Sequence, residues 1–128
     1  GGAFKPLTFP YRGEKYTETK EEGIKWLLKA KKEVGIPIIT EVMEEKYLEL
    51  VSEVTDIIQI GSRNMQNFPF LTACAKTQKP IMLKRHYGSS LRDWFGAAEY
   101  LLIEGNQKVI LQFHMLWLQL YKKFLLQW

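Results

Sequence analysis

The sequence contains little that could form disulfide bonds or bind a metal ion. Among its 128 residues there are one cysteine, Cys74, and two histidines. A single cysteine excludes an internal disulfide framework and is typical of proteins from a reducing compartment, which predicts a cytoplasmic location. Because His86 and His114 lie far from Cys74 in the sequence, a local zinc knuckle is excluded as well.

Long hydrophobic runs are also absent. The apolar runs are far shorter than the roughly 20 residues that a membrane-spanning helix needs. Nothing at the start resembles a signal peptide, so we expect no membrane partner. The chain begins with Gly1 rather than with Met, and we expect that residues precede it in the complete protein.

Neither sign of charge dominates the composition. Lys and Arg number 18 against 14 Asp and Glu, which gives a formal net charge of +4. With 46% hydrophobic and 25% charged residues, the sequence is typical of one globular domain with a buried core. The cations do not cluster along one basic helix, so we expect no nucleic-acid partner.

Short apolar runs alternate with amphipathic segments along the chain. The apolar runs are rich in β-branched residues and predict strands that are covered on both faces of a parallel sheet. They occupy residues 36–41, 56–61, 81–84 and 109–111. The segments with helical spacing of apolar residues predict helices. These segments occupy residues 19–34, 44–54, 68–77 and 90–104.

Two architectures fit this alternation, a doubly wound sheet and part of a (β/α)₈ barrel. No G-x-G-x-x-G turn follows the first strand, which speaks against a dinucleotide-binding sheet. Polar residues stand instead at the end of successive strands, among them Glu41, Gln59 and Lys84. Functional residues at many strand ends are typical of a barrel, which needs about 250 residues. The sequence therefore predicts an α/β fold, a partial TIM barrel of about four strand–helix units.

Several cations belong to these predicted strand ends. Arg63 and Lys84 follow or end two strands, Arg85 comes next, and Lys5 would join them if Phe4 ended an earlier strand. Such a group would bind a small molecule with several negative charges, such as a phosphate with a carboxylate. The alternative is that these residues are solvated surface cations without a common ligand.

Three segments of the chain resemble class I 3-deoxy-D-arabino-heptulosonate 7-phosphate (DAHP) synthases. Residues 1–11, GGAFKPLTFPY, are similar to the family's GGAFKPRTSPY, and residues 58–68, IQIGSRNMQNF, are similar to IQIGARNxQNF. Residues 79–85, KPIMLKR, are similar to the start of KPVLLKRG, and AEY at 98–100 with GN at 105–106 continues the likeness. The motifs occur in order and almost without gaps as far as Leu111.

The resemblance implies a TIM-barrel transferase that condenses phosphoenolpyruvate with erythrose 4-phosphate in the first step of the shikimate pathway. It implies that Lys5, Arg63 and Lys84 hold phosphoenolpyruvate, and that Lys5, Pro6 and Thr8 border the erythrose phosphate. Arg85 is a further candidate, and Glu41 would order a water molecule. The family uses a divalent metal, whose expected role is to polarise the aldehyde. The related 3-deoxy-D-manno-octulosonate 8-phosphate synthase shares the architecture but lacks the KPxTxPY and GSRNMQN motifs.

The sequence departs from the family pattern at several positions. Leu7 replaces an arginine that would grip the erythrose phosphate, and His86 replaces a glycine. The family's cysteine, histidine, glutamate and aspartate metal ligands have no counterparts at matched positions, so no metal ligand is assigned and the isolated chain is expected to be inactive. Cys74 falls within a predicted helix, where a buried core thiol is expected.

The end of the chain leaves the family pattern after Leu111. We therefore divide the sequence into a partial barrel domain, 1–111, and a tail, 112–128. The tail carries an apolar stripe at helical spacing, which would either cap a half barrel or be a spurious ending. His114 within it is expected to be an incidental polar position. A different class of function also stays open, in which a non-catalytic half barrel forms a homo-oligomer through its open strand edges.

Overall fold

The computed structural model describes residues 2–6 and 19–113, in which helices and strands alternate. The helices are α1 (Lys20–Val34), α2 (Leu48–Val54), α3 (Phe68–Lys76) and α4 (Leu91–Ile103). The strands are β1 (Ile39–Val42), β2 (Ile57–Ile60), β3 (Ile81–Lys84) and β4 (Val109–Gln112). Thr8, Leu7 and the tail from His114 onwards lie outside the described residues. No helix within the described ranges is long and apolar enough to cross a membrane.

Local sequence signals set the ends of the helices. Helix α1 has acidic residues in its first turn and lysines in its last turn, which complement the helix dipole. It ends at Gly35, whose φ of 71° is the left-handed conformation that glycine adopts without a steric penalty. Helix α4 begins after Ser90, whose side chain accepts a hydrogen bond from the backbone N–H of Asp93. The expected N-cap at Ser90 is thus present.

The four strands form one parallel sheet in the order β1-β2-β3-β4. Each strand therefore pairs with the next one along the chain, and a helix connects each pair. A doubly wound sheet would reverse its strand order and place helices on both faces. The sequential order, with the connecting helices on a single face, is instead that of a barrel segment. This arrangement agrees with the predicted α/β fold and its partial barrel.

The core lies between the sheet and its helices. Alternate strand residues point to this face and are buried, including Val42, Ile58, Ile60, Ile81 and Leu83. They pack against apolar side chains of all four helices, namely Ile24, Leu48, Val51, Val54, Phe70, Leu71, Cys74, Ala75, Trp94, Ala97, Ala98 and Leu101. Burial of these side chains supplies the main stabilising contribution of the fold.

The other face of the sheet is partly open, contrary to the expectation that both faces are covered. Ile39 and Ile110 on this face are 36% and 42% exposed. In a complete barrel the corresponding face points inward and is filled by side chains of all eight strands. Because four strands are present in the described residues, this face lacks the opposite half of such an interior.

Three local expectations also differ from the structure. The first strand begins at Ile39 rather than at residue 36, and the segment 44–54 begins with a 3₁₀ turn, Glu45–Tyr47, before α2. Phe4 does not end a strand, because Ala3 and Phe4 form a turn. Lys5 was expected to lie near the strand ends only if Phe4 ended a strand, and this condition is not met. The position of Lys5 therefore has another cause.

Candidate functional site

The strand register brings the polar strand-end residues to one edge of the sheet. Glu41 of β1 lies opposite Gln59 of β2, and Gln59 lies opposite Met82 of β3. Lys84 is two residues further along β3, where it lies opposite Gln112 of β4. Since all strands are parallel, the carboxyl ends of β1 to β4 form a common rim, which is where barrel enzymes place their sites.

Lys5 reaches this rim through the packing of the N-terminal turn. The Phe4 ring stacks on Tyr47 at a centroid distance of 3.9 Å, and the Ala3 carbonyl accepts a hydrogen bond of 2.9 Å from the backbone N–H of Lys20. These contacts bury Phe4 and hold the turn beside the end of β1. The Lys5 ammonium then lies 2.9 Å from Oε2 of Glu41.

Glu41 is a buried carboxylate at the centre of this contact. It is 2% exposed, and its Oε2 also accepts a hydrogen bond of 3.2 Å from Nε2 of Gln59. A Cβ atom on Gly61 would lie 1.9 Å from Oε1 of Glu41, so only glycine leaves room for the carboxylate. Lys5 is therefore an ion-paired cation.

Arg63 lies in the 3₁₀ turn Ser62–Asn64 that follows β2. The turn is fixed on one side by Asn64, whose side-chain amide donates a hydrogen bond of 3.0 Å to the Met43 carbonyl after β1. On the other side the next residue, Met65, is fully buried. Arg63 itself is exposed. Within residues 2–6 and 19–113 its guanidinium has no carboxylate partner.

Lys84 and Arg85 differ in their surroundings although they are neighbours. Lys84 is half-buried at the end of β3, and no carboxylate of the described part of the chain forms an ion pair with it. Nε of Arg85 donates to the Ser89 carbonyl at 3.1 Å, and a second guanidinium nitrogen donates to the same oxygen. The guanidinium also lies 4.9 Å from the centre of the Phe113 ring. Arg85 therefore stabilises the loop after β3.

The structure thus places Lys5, Arg63 and Lys84 along one rim. Lys5 is placed by tertiary contact, Arg63 by the turn that follows β2, and Lys84 by strand register. Pro6 is exposed beside Lys5, and the assignment of Thr8 lies outside the described residues. Sequence reasoning missed the role of Gly61 and the burial of Met65. Gly61 stands in a motif that resembles the family. The requirement for glycine at this position, however, comes from the carboxylate of Glu41 on another strand.

No group of three or more His, Cys, Asp or Glu side chains in residues 2–6 and 19–113 could hold a metal ion. The divalent metal implied by the resemblance therefore has no matching ligand set in this part of the chain. Cys74 is fully buried in α3, as expected for a core thiol. Burial raises the pKa of its thiol to about 12, which makes it a poor metal ligand at neutral pH.

Comparison with known proteins gives a consistent result. The model of the DAHP synthetase I family matches residues 1–118. Phospho-2-dehydro-3-deoxyheptonate aldolase of Thermotoga maritima is 40% identical over 111 residues, 87% of this chain and 32% of that protein. 2-dehydro-3-deoxyphosphooctonate aldolase of Acinetobacter baylyi is 38% identical over 91 residues, 71% of this chain and 32% of that protein.

Solved structures agree with these sequence matches. The crystal structure of the Thermotoga maritima DAHP synthase superposes with a TM-score of 0.77 at 37% identity, covering 87% of this chain and 31% of that chain. A truncated form of the same enzyme gives a TM-score of 0.74 and is covered to 38%. The chain thus spans about a third of the length of the curated relatives it matches.

Proposed function

Because this chain belongs to the DAHP synthetase I family, we propose that it carries part of the phosphoenolpyruvate site of a DAHP synthase. The complete enzyme would condense phosphoenolpyruvate with erythrose 4-phosphate, forming a carbon–carbon bond in the first step of the shikimate pathway. The cytoplasmic location expected from the cysteine content is part of the same proposal.

The observation that supports this proposal is the common rim shared by Lys5, Arg63 and Lys84. Phosphoenolpyruvate carries a phosphate and a carboxylate, and cations at strand ends bind such groups by charge-assisted hydrogen bonds. Arg63 would supply a bidentate fork and Lys84 a point charge. Both side chains lack a carboxylate partner among residues 2–6 and 19–113, so their charges are available to an anion.

Lys5 would have a second role because it is held by Glu41 at 2.9 Å. An ammonium group has three donor hydrogens, so Lys5 can keep this ion pair and still donate to a ligand. With Pro6 and Thr8 it would border the erythrose phosphate, while Glu41 would order a water molecule. Arg85 is the weaker assignment, because its guanidinium already donates to the Ser89 carbonyl.

Isothermal titration of the chain with phosphoenolpyruvate tests the binding site. We expect a measurable heat for the natural sequence and a loss of affinity of about tenfold or more in Arg63→Ala and Lys84→Ala, since each removes a charge-assisted contact. Lys32→Ala and Lys76→Ala are matched controls, because both residues are exposed in the last turns of α1 and α3, at the helix ends that lead into the N-terminal ends of β1 and β3 and so lie opposite the rim. Equal, negligible heats for all five chains would remove the proposal.

We further propose that the isolated chain does not catalyse the condensation of phosphoenolpyruvate with erythrose 4-phosphate. The metal implied by the family has no ligand set in the described residues, and the sheet of the same residues has four strands, whereas a complete barrel has eight. Product formation by the 128-residue chain, supplied with a divalent metal and both substrates, would contradict this statement.

A sister synthase is an alternative within the same chemical class. The octulosonate relative of Acinetobacter baylyi is nearly as similar in identity as the heptonate relative, although over fewer residues. The two readings differ in the sugar phosphate that accepts phosphoenolpyruvate. Consumption of phosphoenolpyruvate by the complete enzyme with erythrose 4-phosphate would support the DAHP synthase assignment, and failure with this acceptor would favour the sister activity.

A non-catalytic half barrel that self-associates is the second candidate function. It is favoured by apolar side chains on both edge strands of the sheet, where Ile39 of β1 is 36% and Leu111 of β4 is 38% exposed. Unpaired strand edges are ready to pair with another chain. A discrete dimer in sedimentation experiments would support this function, and a monomer would exclude it.

A further inference from the structure

Met65 is a fully buried methionine that contacts the loops carrying two of the candidate cations, Arg63 and Lys84. It lies two residues after Arg63, at the end of the 3₁₀ turn that follows β2. Its sulfur accepts a hydrogen bond of 3.2 Å from the backbone N–H of His86. His86 is two residues after Lys84, so this one contact joins the loops that carry Arg63 and Lys84.

The loop after β3 is organised around this contact. The Ser89 hydroxyl lies 3.5 Å from the same sulfur and 2.9 Å from the His86 carbonyl oxygen. The backbone N–H of Ser89 also donates to the His86 carbonyl at 3.2 Å. Residues 86–89 therefore form a tight turn, and the thioether of Met65 is the acceptor toward which its first N–H points.

A thioether suits this position because it is apolar enough for the core yet is a weak hydrogen-bond acceptor. Leucine would fill nearly the same volume, since exchanges between methionine and leucine conserve volume and are well tolerated in cores. It would leave the His86 N–H without its acceptor. Met65→Leu therefore removes the hydrogen-bond acceptor of the His86 N–H while it keeps a buried apolar side chain of similar volume.

We propose that Met65 is a positioning residue that sets the distance between Arg63 and Lys84 by holding the loop after β3 against the turn after β2. Met65 does not contact the ligand. It acts through the two cations, and the inference therefore rests on the proposed phosphoenolpyruvate site.

The test compares Met65→Leu with Met82→Leu in the 128-residue chain. Met82 is a half-buried methionine of β3, and its sulfur makes no hydrogen bond to any residue of the described ranges. We expect Met65→Leu to weaken phosphoenolpyruvate binding about threefold to tenfold, the value of one lost hydrogen bond. Met82→Leu is expected to bind like the natural sequence, and both variants should unfold at similar temperatures.

Two further measurements separate positioning from a general loss of stability. Hydrogen exchange of the His86 amide should become faster in Met65→Leu, while the amides of β3 keep their protection. In an Arg63→Ala background, Met65→Leu should have almost no further effect on affinity, because the spacing then matters less.

The possible outcomes distinguish this inference from the function on which it rests. If the natural sequence and Met65→Leu bind phosphoenolpyruvate equally, the positioning role is wrong while the site stands. Additive losses in the Arg63→Ala background would likewise contradict it. If the natural sequence binds no phosphoenolpyruvate, the proposed function fails and the positioning role fails with it.

Discussion

Gly61 leaves the space that the buried Glu41 carboxylate occupies. A Cβ at Gly61 would lie 1.9 Å from Oε1 of Glu41, and the carboxylate is held by Lys5 and Gln59. Gly61→Ala must therefore displace the carboxylate or the turn, and we expect a loss of about 1–3 kcal/mol in the free energy of unfolding. Urea unfolding monitored by tryptophan fluorescence measures this loss.

Gly96 supplies the matched control for this substitution. It lies within α4, and apart from the neighbouring backbone of this helix no atom of the described residues lies within 4 Å of the Cβ that alanine would add. Gly96→Ala should stabilise the chain by about 0.5–1 kcal/mol, because alanine favours the helix. A Gly61→Ala variant that is as stable as Gly96→Ala would show that Glu41 is not confined as described.

Cys74 is expected to be unreactive in the folded chain. Burial raises the pKa of its thiol to about 12, so the nucleophilic thiolate is scarce and also inaccessible near pH 8. Iodoacetamide at pH 8 should label Cys74 only after addition of denaturant. Because the folded pKa exceeds that of an unfolded thiol, the contribution of this group to stability is complete below about pH 8.5 and declines as the pH rises toward 12. Rapid labelling without denaturant would contradict this account.

At the level of single residues, the sequence predicted the candidate cations but not their partners. Lys5, Arg63 and Lys84 were chosen as candidates because they stand in motifs that resemble the family, and Arg63 and Lys84 also stand at or after strand ends. The ion pair of Lys5 with Glu41 joins residues 36 positions apart, and it depends on how the N-terminal turn packs. The contact of Met65 with His86 depends in the same way on two loops meeting. No spacing rule encodes such contacts.

Among the elements, α4 has the most complete N-terminal cap. The Ser90 side chain accepts from the Asp93 N–H, and the Asp93 carboxylate accepts from the Ser90 N–H at 3.0 Å. Ser90→Ala should lower the free energy of unfolding by about 1 kcal/mol. Thr19→Ala is the control, because Thr19 precedes α1 without a side-chain capping hydrogen bond. An equal effect of both substitutions in thermal unfolding would be inconsistent with a capping role for Ser90.

Asp56 joins three elements and should make stability depend on pH. Its carboxylate accepts from the Lys31 ammonium of α1 and from the Ile38 N–H before β1, both at 2.7 Å. These hydrogen bonds lower its pKa. The stabilising contribution is therefore complete above about pH 4, the unfolded value, and is lost as the pH falls through the lower folded value.

The pH profile of an asparagine variant tests this contribution. Asp56→Asn should be less stable than the natural sequence in urea unfolding at pH 7, and the difference should shrink at pH 3. Glu53→Gln, an exposed carboxylate on α2, should change stability little at either pH. A difference for Asp56→Asn that is constant with pH would contradict the proposed role of the ion pair.

The elements were predicted well where the periodicity was clear, and less well at their ends. The order of four strands and four helices is confirmed by the structure. Residues 36–38 do not join β1, in part because Pro37 has no N–H for a ladder and the Ile38 N–H bonds to Asp56 instead. The turn at Ala3 and Phe4 was missed because its apolar residues look like a strand until their packing against Tyr47 is known.

At the scale of the whole molecule, residues 2–6 and 19–113 form a barrel segment whose second sheet face and two edge strands are partly exposed within this part of the chain. The composition predicted a buried core but not that helices would cover one face alone. An apolar run predicts a strand that is buried on both faces. It does not show whether the second face is covered by this stretch of the chain or by another part of the protein. In the Thermotoga maritima DAHP synthase structure, about two thirds of the chain lie outside the matched region and are available to cover this face.

Self-association through the open edges has a specific geometric form. Two copies related by a twofold axis along the barrel axis would pair β4 of each with β1 of the other. Both new pairs would be parallel, and eight strands would close without a free edge. Ile110 would then face the closed interior. If this second candidate function is right, the natural sequence should sediment as a discrete dimer.

Ile110→Lys should convert that dimer into a monomer, because a closed interior would bury an unpaired ammonium group. Ile103→Lys is the control, since Ile103 is 79% exposed at the end of α4 and lies outside the strand edges. It should leave the dimer intact. A monomeric natural sequence, or equal behaviour of both variants, would contradict pairing through β1 and β4. In that case the proposed synthase is favoured, in which further strands of the complete enzyme would cover the open face.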